Sequence, residues 1–162
     1  MPNEAADLLA IRRGTVTAPA GCGKTHLIAD ALARHNGTKP ILVLTHTNAG
    51  VVALRERLER AGVAKSSYRL STLDGWAIRL LKNFPKRAGH DPAIRAAACN
   101  LLSGKHINEI LAASYDRLIV DEYQDCNLAQ HAMVVGAAEA LDTCVLGDPM
   151  QAIFDFAGEL AD

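Results

Sequence analysis

Residues 117–127, Arg-Leu-Ile-Val-Asp-Glu-Tyr-Gln-Asp-Cys-Asn, constrain the fold of this chain more than any other stretch. Three branched apolar residues run directly into two adjacent acids, Asp121 and Glu122. An uninterrupted apolar run of this kind is typical of a parallel strand that is buried on both faces. Its carboxyl end would deliver the acids to the sheet edge where open α/β sheets bind ligands. Because neighbouring side chains on a strand point to opposite faces, we expect one acid to hold a metal ion and the other to face a water molecule.

A buried strand that ends in an acidic turn is common, so this interpretation requires a phosphate-binding segment elsewhere. The glycine-rich segment Pro19-Ala-Gly-Cys-Gly-Lys-Thr25 lies between a predicted strand at 14–18 and a predicted helix that stops at 36–37. Its glycines permit a tight backbone that aims N–H groups at phosphate oxygens, and the helix N-terminus adds partial positive charge. Lys24 would reach the β and γ phosphates, and the Thr25 hydroxyl would ligate magnesium. The candidate nucleotide-binding residues are Ala20, Gly21, Cys22, Gly23, Lys24, Thr25 and His26.

The rest of the chain alternates predicted strands with predicted helices. We expect buried strands over 40–47 and 143–148, and a short strand over 68–71. The expected helices are one capped by Asn48, one over 72–81, and one that runs from Asp125 or Asn127 to about Leu141. Residues 1–13 predict a short helical lead-in, and the poorly patterned residues 82–116 predict two short helices. This alternation predicts a three-layer α/β fold with a parallel sheet.

Length and composition limit the possible classes of protein. A chain of 162 residues is long enough for one domain with a real core. The net charge is −1 and aromatic residues make up 4%, so neither a basic field nor an aromatic platform indicates general nucleic-acid binding. The cysteines have no paired spacing, which favours a reduced, cytoplasmic protein over a disulfide framework. A zinc site at His90, Cys99 and His106 is a minor alternative. No apolar run is long enough to predict a membrane span.

Three further segments accompany the phosphate loop and the acidic strand, in the order Leu44–Asn48, Ser71–Leu81 and Leu146–Gly158. With these five motifs the chain resembles the N-terminal RecA-like motor domain of UvrD/Rep-type superfamily 1 DNA helicases. The acidic stretch Asp-Glu-Tyr-Gln-Asp is close to that family's DEFQD box, and the last segment is similar to its GDxxQSIYxFRGA motif. The resemblance covers nearly all of residues 14–160.

The resemblance implies a RecA-like P-loop NTPase fold that binds ATP and Mg²⁺. Thr25 and Asp121 would hold the metal, and Glu122 would polarise the water that attacks the γ-phosphate, next to Lys24. Gln151 would sense the γ-phosphate and link it to the DNA track, while Gln124 and Asp125 would tie the acidic strand to neighbouring motifs. The implied nucleic-acid face consists of His46, Thr72, Phe154 and Phe156.

Several positions depart from the family's pattern. His46 replaces an aromatic residue that stacks on a base, and Leu73-Asp74 replaces Phe-His, which adds a negative charge near the expected phosphate track. Asp155 and Ala157 replace two arginines. Because these changes remove cations and stacking groups, we expect single-stranded DNA binding by this domain to be weak. The upstream glutamine that reads adenine in relatives is also missing, so base selectivity is open.

The resemblance also sets expectations for domain organisation. Residues 1–162 would form a single RecA-like domain, with 82–116 as a reduced helical insertion and with the second motor domain absent from the chain. That second domain, in cis or in trans, would supply a transition-state arginine, so we expect little ATPase activity from this chain alone. The whole enzyme would be an ATP-dependent DNA helicase, a hydrolase that couples ATP hydrolysis to translocation and unwinding on single-stranded DNA. Two alternatives stay open: a truncated nucleotide-binding or regulatory module without helicase activity, and an RNA-directed superfamily 1 helicase.

Overall fold

The computed structural model describes residues 6–19, 21, 23–85 and 93–148. Five parallel strands form one sheet in the order β1-β5-β4-β2-β3. Their bounds are Arg13–Thr17 for β1, Ile41–Thr45 for β2, Tyr68–Thr72 for β3, Arg117–Val120 for β4 and Asp142–Gly147 for β5. The apolar acidic-strand segment therefore lies in the centre of the sheet, as its continuous burial requires.

Helices cover both faces of the sheet. They are α1 (Lys24–Arg34), α2 (Asn48–Arg60), α3 (Leu73–Asn83), α4 (Ile94–Leu102), α5 (Lys105–Ser114) and α6 (Leu128–Ala138). The predicted three-layer α/β architecture with a parallel sheet is confirmed. Because consecutive side chains on a strand point to opposite faces, β2, β4 and β5 contribute alternate residues to two separate cores. Ile119 packs with α1 and α2, whereas Leu118 and Val120 pack with α3, α4 and α6.

Most predicted elements are present, with ends that differ by a few residues. The two short helices expected between 82 and 116 are α4 and α5. The helical lead-in is wrong for the described residues 6–12, which form turns and bends, although Leu8 is fully buried. The cap of α2 is also wrong: the Thr47 hydroxyl, and not the Asn48 side chain, accepts the hydrogen bond from the Gly50 N–H at 3.0 Å. Asn127 caps α6 with a complete capping box, which decides between the two predicted residues.

Arg117 anchors the rim of the sheet at which the strands begin. Its guanidinium is almost fully buried and donates to the carbonyl oxygens of Leu8 and Ile11, at 2.7 and 3.2 Å. These bonds hold the segment before β1 across the amino ends of the strands. The described residues that follow the carboxyl ends of β1, β4 and β5 therefore gather at the opposite rim.

Candidate active site

The phosphate-loop segment connects β1 to α1 at the carboxyl rim. Gly21 and Gly23 have φ values of 79° and 83°, a left-handed conformation that a side chain would strain. Gly23 is the N-cap of α1, so the first helical turn begins at Lys24 with its N–H groups directed at the loop. Thr25 is half-buried in this first turn and His26 is exposed. Ala20 and Cys22, also predicted to bind the nucleotide, lie outside the described residues.

Lys24 is a buried cation, with 6% of its surface exposed. Its ammonium group donates to the Ala18 carbonyl oxygen at 3.3 Å and lies 3.4 Å from Glu122 Oε2. A buried lysine requires partners of this kind, because desolvation penalises the charged form. The lysine and the acidic pair, nearly a hundred positions apart in the sequence, therefore meet at one rim.

The two acids do not alternate along a strand, so that part of the sequence interpretation is wrong. β4 ends at Val120, and Glu122 takes a left-handed conformation with φ 52° and ψ 46° before the 3₁₀ turn Tyr123–Asp125. Asp121 extends the strand only through its N–H, which donates to the Leu44 carbonyl oxygen at 2.8 Å. The left-handed backbone at Glu122, and not strand alternation, gives the two acids different surroundings. Asp121 is buried, whereas 41% of the Glu122 side chain is exposed.

Asp121 is a buried carboxylate whose negative charge a bound cation would stabilise. Burial, followed by the neighbouring charge of Glu122, raises the pKa of Asp121 to about 6; the backbone hydrogen bond from Glu122, and then the charge of Lys24, only partly offset this. Its Oδ1 atom is buried without a hydrogen-bond partner among the described residues. Asp121 and Thr25 line the same cleft. A buried carboxylate oxygen without a partner and a hydroxyl that lines the same cleft fit Mg²⁺, which takes one or two protein ligands and completes its shell with water and phosphate oxygens. The described residues contain no cluster of three or more histidine, cysteine or acidic groups that would favour another metal.

A cleft of about 430 Å³ opens beside these residues. Thr25, Asp121 and Glu122 line the cleft, together with His46, which follows β2, and Arg57 of α2. His46 was predicted to face nucleic acid; it is half-buried in this cleft, and its Nδ1 has no hydrogen-bond partner among the described residues. Its role remains a prediction.

In the segment that follows β3, the charge of Asp74 is not exposed to a nucleic-acid track in the way the sequence predicts. Asp74 does not present an unpaired negative charge, because Arg95 on α4 donates to both carboxylate oxygens at 2.8 and 2.7 Å. Gln130 on α6 adds a third bond at 3.3 Å. The Thr72 hydroxyl, predicted to contact nucleic acid, caps α3 by accepting from the Gly75 N–H at 3.0 Å. The sequence offered no signal for Arg95, which is 21 positions from its partner in a poorly patterned region.

Three predicted functional residues, Gln151, Phe154 and Phe156, lie outside the described residues, so their roles also remain predictions. Among the residues that are described, no helix combines the length and the hydrophobicity needed to cross a membrane.

Comparisons with known proteins agree with this geometry. A family model described as an AAA domain matches residues 3–157, which is nearly the whole chain. A curated protein of Leuconostoc mesenteroides subsp. mesenteroides, one subunit of its ATP-dependent helicase/nuclease, is 30% identical over a region that covers 62% of this chain and 10% of that protein. The chain thus corresponds to about a tenth of the length of this relative.

Proposed function

The chain belongs to this AAA domain family, which forms the N-terminal, ATP-binding region of UvrD/Rep-like helicases, and we propose that it binds ATP·Mg²⁺ at the rim that joins Lys24 to the acidic pair. The observation that carries the proposal is the 3.4 Å contact between Lys24 Nζ and Glu122 Oε2. This contact places Lys24, which would bind the phosphates, next to Glu122, which would activate the attacking water.

Each described side chain has a role that its surroundings support. The Lys24 ammonium exchanges its contact with Glu122 for the β and γ phosphate oxygens, which carry more negative charge. Asp121 and the Thr25 hydroxyl hold Mg²⁺, which supplies neutralisation of the charge that develops on the phosphates. The Glu122 carboxylate accepts a hydrogen bond from the attacking water and orients it towards the γ-phosphate. Gln151 senses the γ-phosphate, in keeping with the motif that contains it.

We further propose that this domain is one part of a DNA-dependent ATPase that moves along single-stranded DNA. The relative described above is named for a helicase/nuclease, which supports this class of activity. Full turnover requires a second RecA-like domain, in cis or in trans, that closes over the nucleotide and supplies an arginine. His46, Thr72, Phe154 and Phe156 provide the DNA contacts of the first domain.

The primary test is nucleotide affinity. We expect Lys24→Ala to weaken binding of ATP·Mg²⁺ by about tenfold or more, because the variant loses a charge-assisted contact to the phosphates. Isothermal titration calorimetry of the wild type, Lys24→Ala and a surface control, Lys65→Ala, measures the effect. Lys65 pairs with Glu59 at 3.0 Å on the exposed surface, so its removal should leave affinity unchanged.

Equal affinities in all three proteins, or no saturable binding by the wild type, would contradict the nucleotide site. The requirement for a second domain has its own test. Robust DNA-stimulated hydrolysis by the 162-residue chain alone, abolished by Glu122→Gln, would overturn that requirement while leaving the nucleotide site intact.

A further inference from the structure

We propose that the open edge of the sheet at β3 carries a further DNA-contacting surface, separate from the carboxyl rim, that binds the phosphate backbone of duplex DNA. This inference rests on the proposed action on DNA and extends it by naming a surface and the form of DNA that it takes. The surface consists of four exposed cations, called here the β3-edge patch: Arg55 of α2, Arg69 of β3, and Arg79 and Lys82 of α3.

Positive charge is concentrated in one part of the sequence. Residues 48–83, which include α2, β3 and α3, contain seven lysines and arginines but three acids, a net charge of +4. The rest of the chain contains ten lysines and arginines and fifteen acids, a net charge of −5. The total of −1 therefore conceals a basic segment, which can attract a polyanion locally even though the whole chain does not.

The basic segment surrounds one open edge of the sheet. β3 is the last strand in the order of the described strands and pairs with β2 on its inner side. The buried residues of α2 pack on one face of the sheet, and those of α3 pack on the other. The two helices flank this edge from both faces, so a ligand that lies along the edge can contact cations from both.

On α2, an ion pair shows which flank of the helix faces the edge. The Glu59 carboxylate lies 3.0 Å from the ammonium group of Lys65, in the turn immediately before β3. Arg55 lies one helical turn before Glu59 and hence on the same flank. Arg57 lies on the other flank, where it lines the cleft beside the acidic pair. Arg55 therefore belongs to the β3 edge and not to the proposed nucleotide site.

On α3, the hydrogen bonds of Asp74 orient the helix in the same way. Asp74 faces α4, because it accepts both hydrogen bonds from Arg95, and α4 packs against α3 and α6 on the inner side of α3. Arg79 is five residues further along, roughly 140° around the helix, which turns it away from α4 and towards the open edge. Lys82 is exposed in the last turn of the same helix.

The cations of the patch are not neutralised by neighbouring acids. The acids of the basic segment are already paired, in the contacts Glu56–Arg60, Glu59–Lys65 and Asp74–Arg95. No carboxylate in the part of the chain that the structure describes forms an ion pair with a cation of the patch. Arg69 donates from Nη1 to two backbone carbonyl oxygens, which leaves the other guanidinium nitrogens for a ligand.

The opposite edge of the sheet, at β1, is arranged differently. Arg12 lies 3.9 Å from an Asp142 oxygen, and Arg13 lies 3.7 Å from a Glu139 oxygen, so the cations beside β1 have acidic partners. A cation on an edge strand also hinders unwanted pairing with other sheets. That role needs only Arg69 and does not explain unpaired cations on both flanking helices.

The chemistry of the patch fits phosphates of a duplex. Guanidinium groups bind phosphate oxygens in a bidentate way, and duplex DNA carries one negative charge per about 1.7 Å of its axis, twice the density of one strand. Surfaces that hold single strands add aromatic rings on which bases stack. The two aromatic residues of this segment, Tyr68 and Trp76, are buried and offer no ring to a base.

The test is fluorescence anisotropy of the full chain with a labelled duplex, without nucleotide, over a series of salt concentrations. In Arg55→Gln/Arg69→Gln/Arg79→Gln, duplex affinity at low salt should fall by about tenfold or more. The slope of log Kd against log salt concentration should become shallower by about 0.9 for each lost phosphate contact. Affinity for ATP·Mg²⁺ should be unchanged, because no residue of the nucleotide site is altered.

Two further variants control for net charge and for folding. Arg12→Gln/Arg13→Gln/Lys105→Gln removes three positive charges from exposed positions outside the patch, so it should keep duplex affinity within about threefold of the wild type. Arg55→Lys/Arg69→Lys/Arg79→Lys retains the charges and should recover most of the affinity. Circular dichroism of each variant checks that it is folded.

The outcomes separate this inference from the proposed function. Equal losses in the two glutamine variants, or a wild type that binds single-stranded DNA but no duplex, would overturn the β3-edge patch and leave the proposed function in place. A surface that binds a poly-glutamate peptide and no duplex would belong to an acidic protein partner, which also overturns it. A wild type that binds neither form of DNA, yet binds ATP·Mg²⁺, would contradict both DNA proposals and leave the nucleotide site intact.

Discussion

At the scale of single residues, the left-handed backbone of Glu122 sets the geometry of the site. Among the described residues it is the one non-glycine residue with positive φ. A side chain in this conformation costs roughly 1 kcal/mol relative to glycine. The chain thus retains local strain where the carboxylate must turn away from Asp121 and towards Lys24 and Gln124.

A matched pair of variants measures this strain. Glu122→Ala and Glu122→Gly both remove the carboxylate, but only glycine relaxes the backbone. We expect the glycine variant to be the more stable of the two by about 1 kcal/mol, despite the greater flexibility of its unfolded chain. Urea denaturation of both proteins gives the difference, and an alanine variant of equal or greater stability would show that the backbone is unstrained.

The limits of prediction from the sequence are visible in the same residues. The apolar run of β4 and the glycine-rich loop before α1 follow local rules, so their positions and their meeting at one rim could be predicted. The reversal at Glu122 could not, because strand alternation was extended two residues past the point where the strand ends. The pairing of Asp74 with Arg95 was also inaccessible, since it depends on how α3 and α4 pack.

At the scale of secondary-structure elements, Asp74 joins three helices. It lies in the first turn of α3 and is bound by Arg95 of α4 and Gln130 of α6. The hydrogen bond from Arg95, and then that from Gln130, hold the pKa of this carboxyl below its ordinary value of 3.8, against the opposing effect of burial. The negative charge of Asp74, expected to lie near a nucleic-acid backbone, therefore binds α3 to α4 and α6 on one face of the sheet.

This ion pair predicts an acid-sensitive contribution to stability. The pKa of Asp74 is lower in the folded protein than in the unfolded chain. The stabilisation by Asp74 is therefore complete above its unfolded pKa and is lost as the pH falls through its folded pKa. We expect Asp74→Asn to show a smaller loss of unfolding free energy than the wild type between about pH 5 and pH 2. Urea denaturation across this range measures it.

The control for this experiment is Glu56→Gln, which removes an exposed partner of Arg60 on α2. Solvent screening makes such surface pairs weak, so this variant should follow the wild-type pH profile. A profile for Asp74→Asn that coincides with both would contradict the role assigned to the ion pair.

At the scale of the whole molecule, the sheet couples two cores that do not touch each other directly. Trp76, the single tryptophan, is buried on the face covered by α3, α4 and α6. Leu32 is buried on the opposite face, under α1. Because β2, β4 and β5 contribute to both cores, damage to one core should destabilise the other.

Leu32→Ala tests this coupling. The cavity should lower the free energy of unfolding by about 2–5 kcal/mol, and the loss should appear equally in Trp76 fluorescence and in circular dichroism. Val52→Ala, at a side chain that is 51% exposed, should leave both transitions close to the wild type. A fluorescence transition that stays in place while the dichroism transition moves would show that the two faces unfold separately.

The Arg117 anchor at the amino rim has a consequence for how such a domain can diversify. The bonds that secure the scaffold and the groups proposed to handle phosphate stand at opposite ends of the same short strands. A substitution in a loop at the carboxyl rim can alter ligand preference without touching the bonds that Arg117 makes. Selection can therefore act on specificity and on foldability as nearly separate traits.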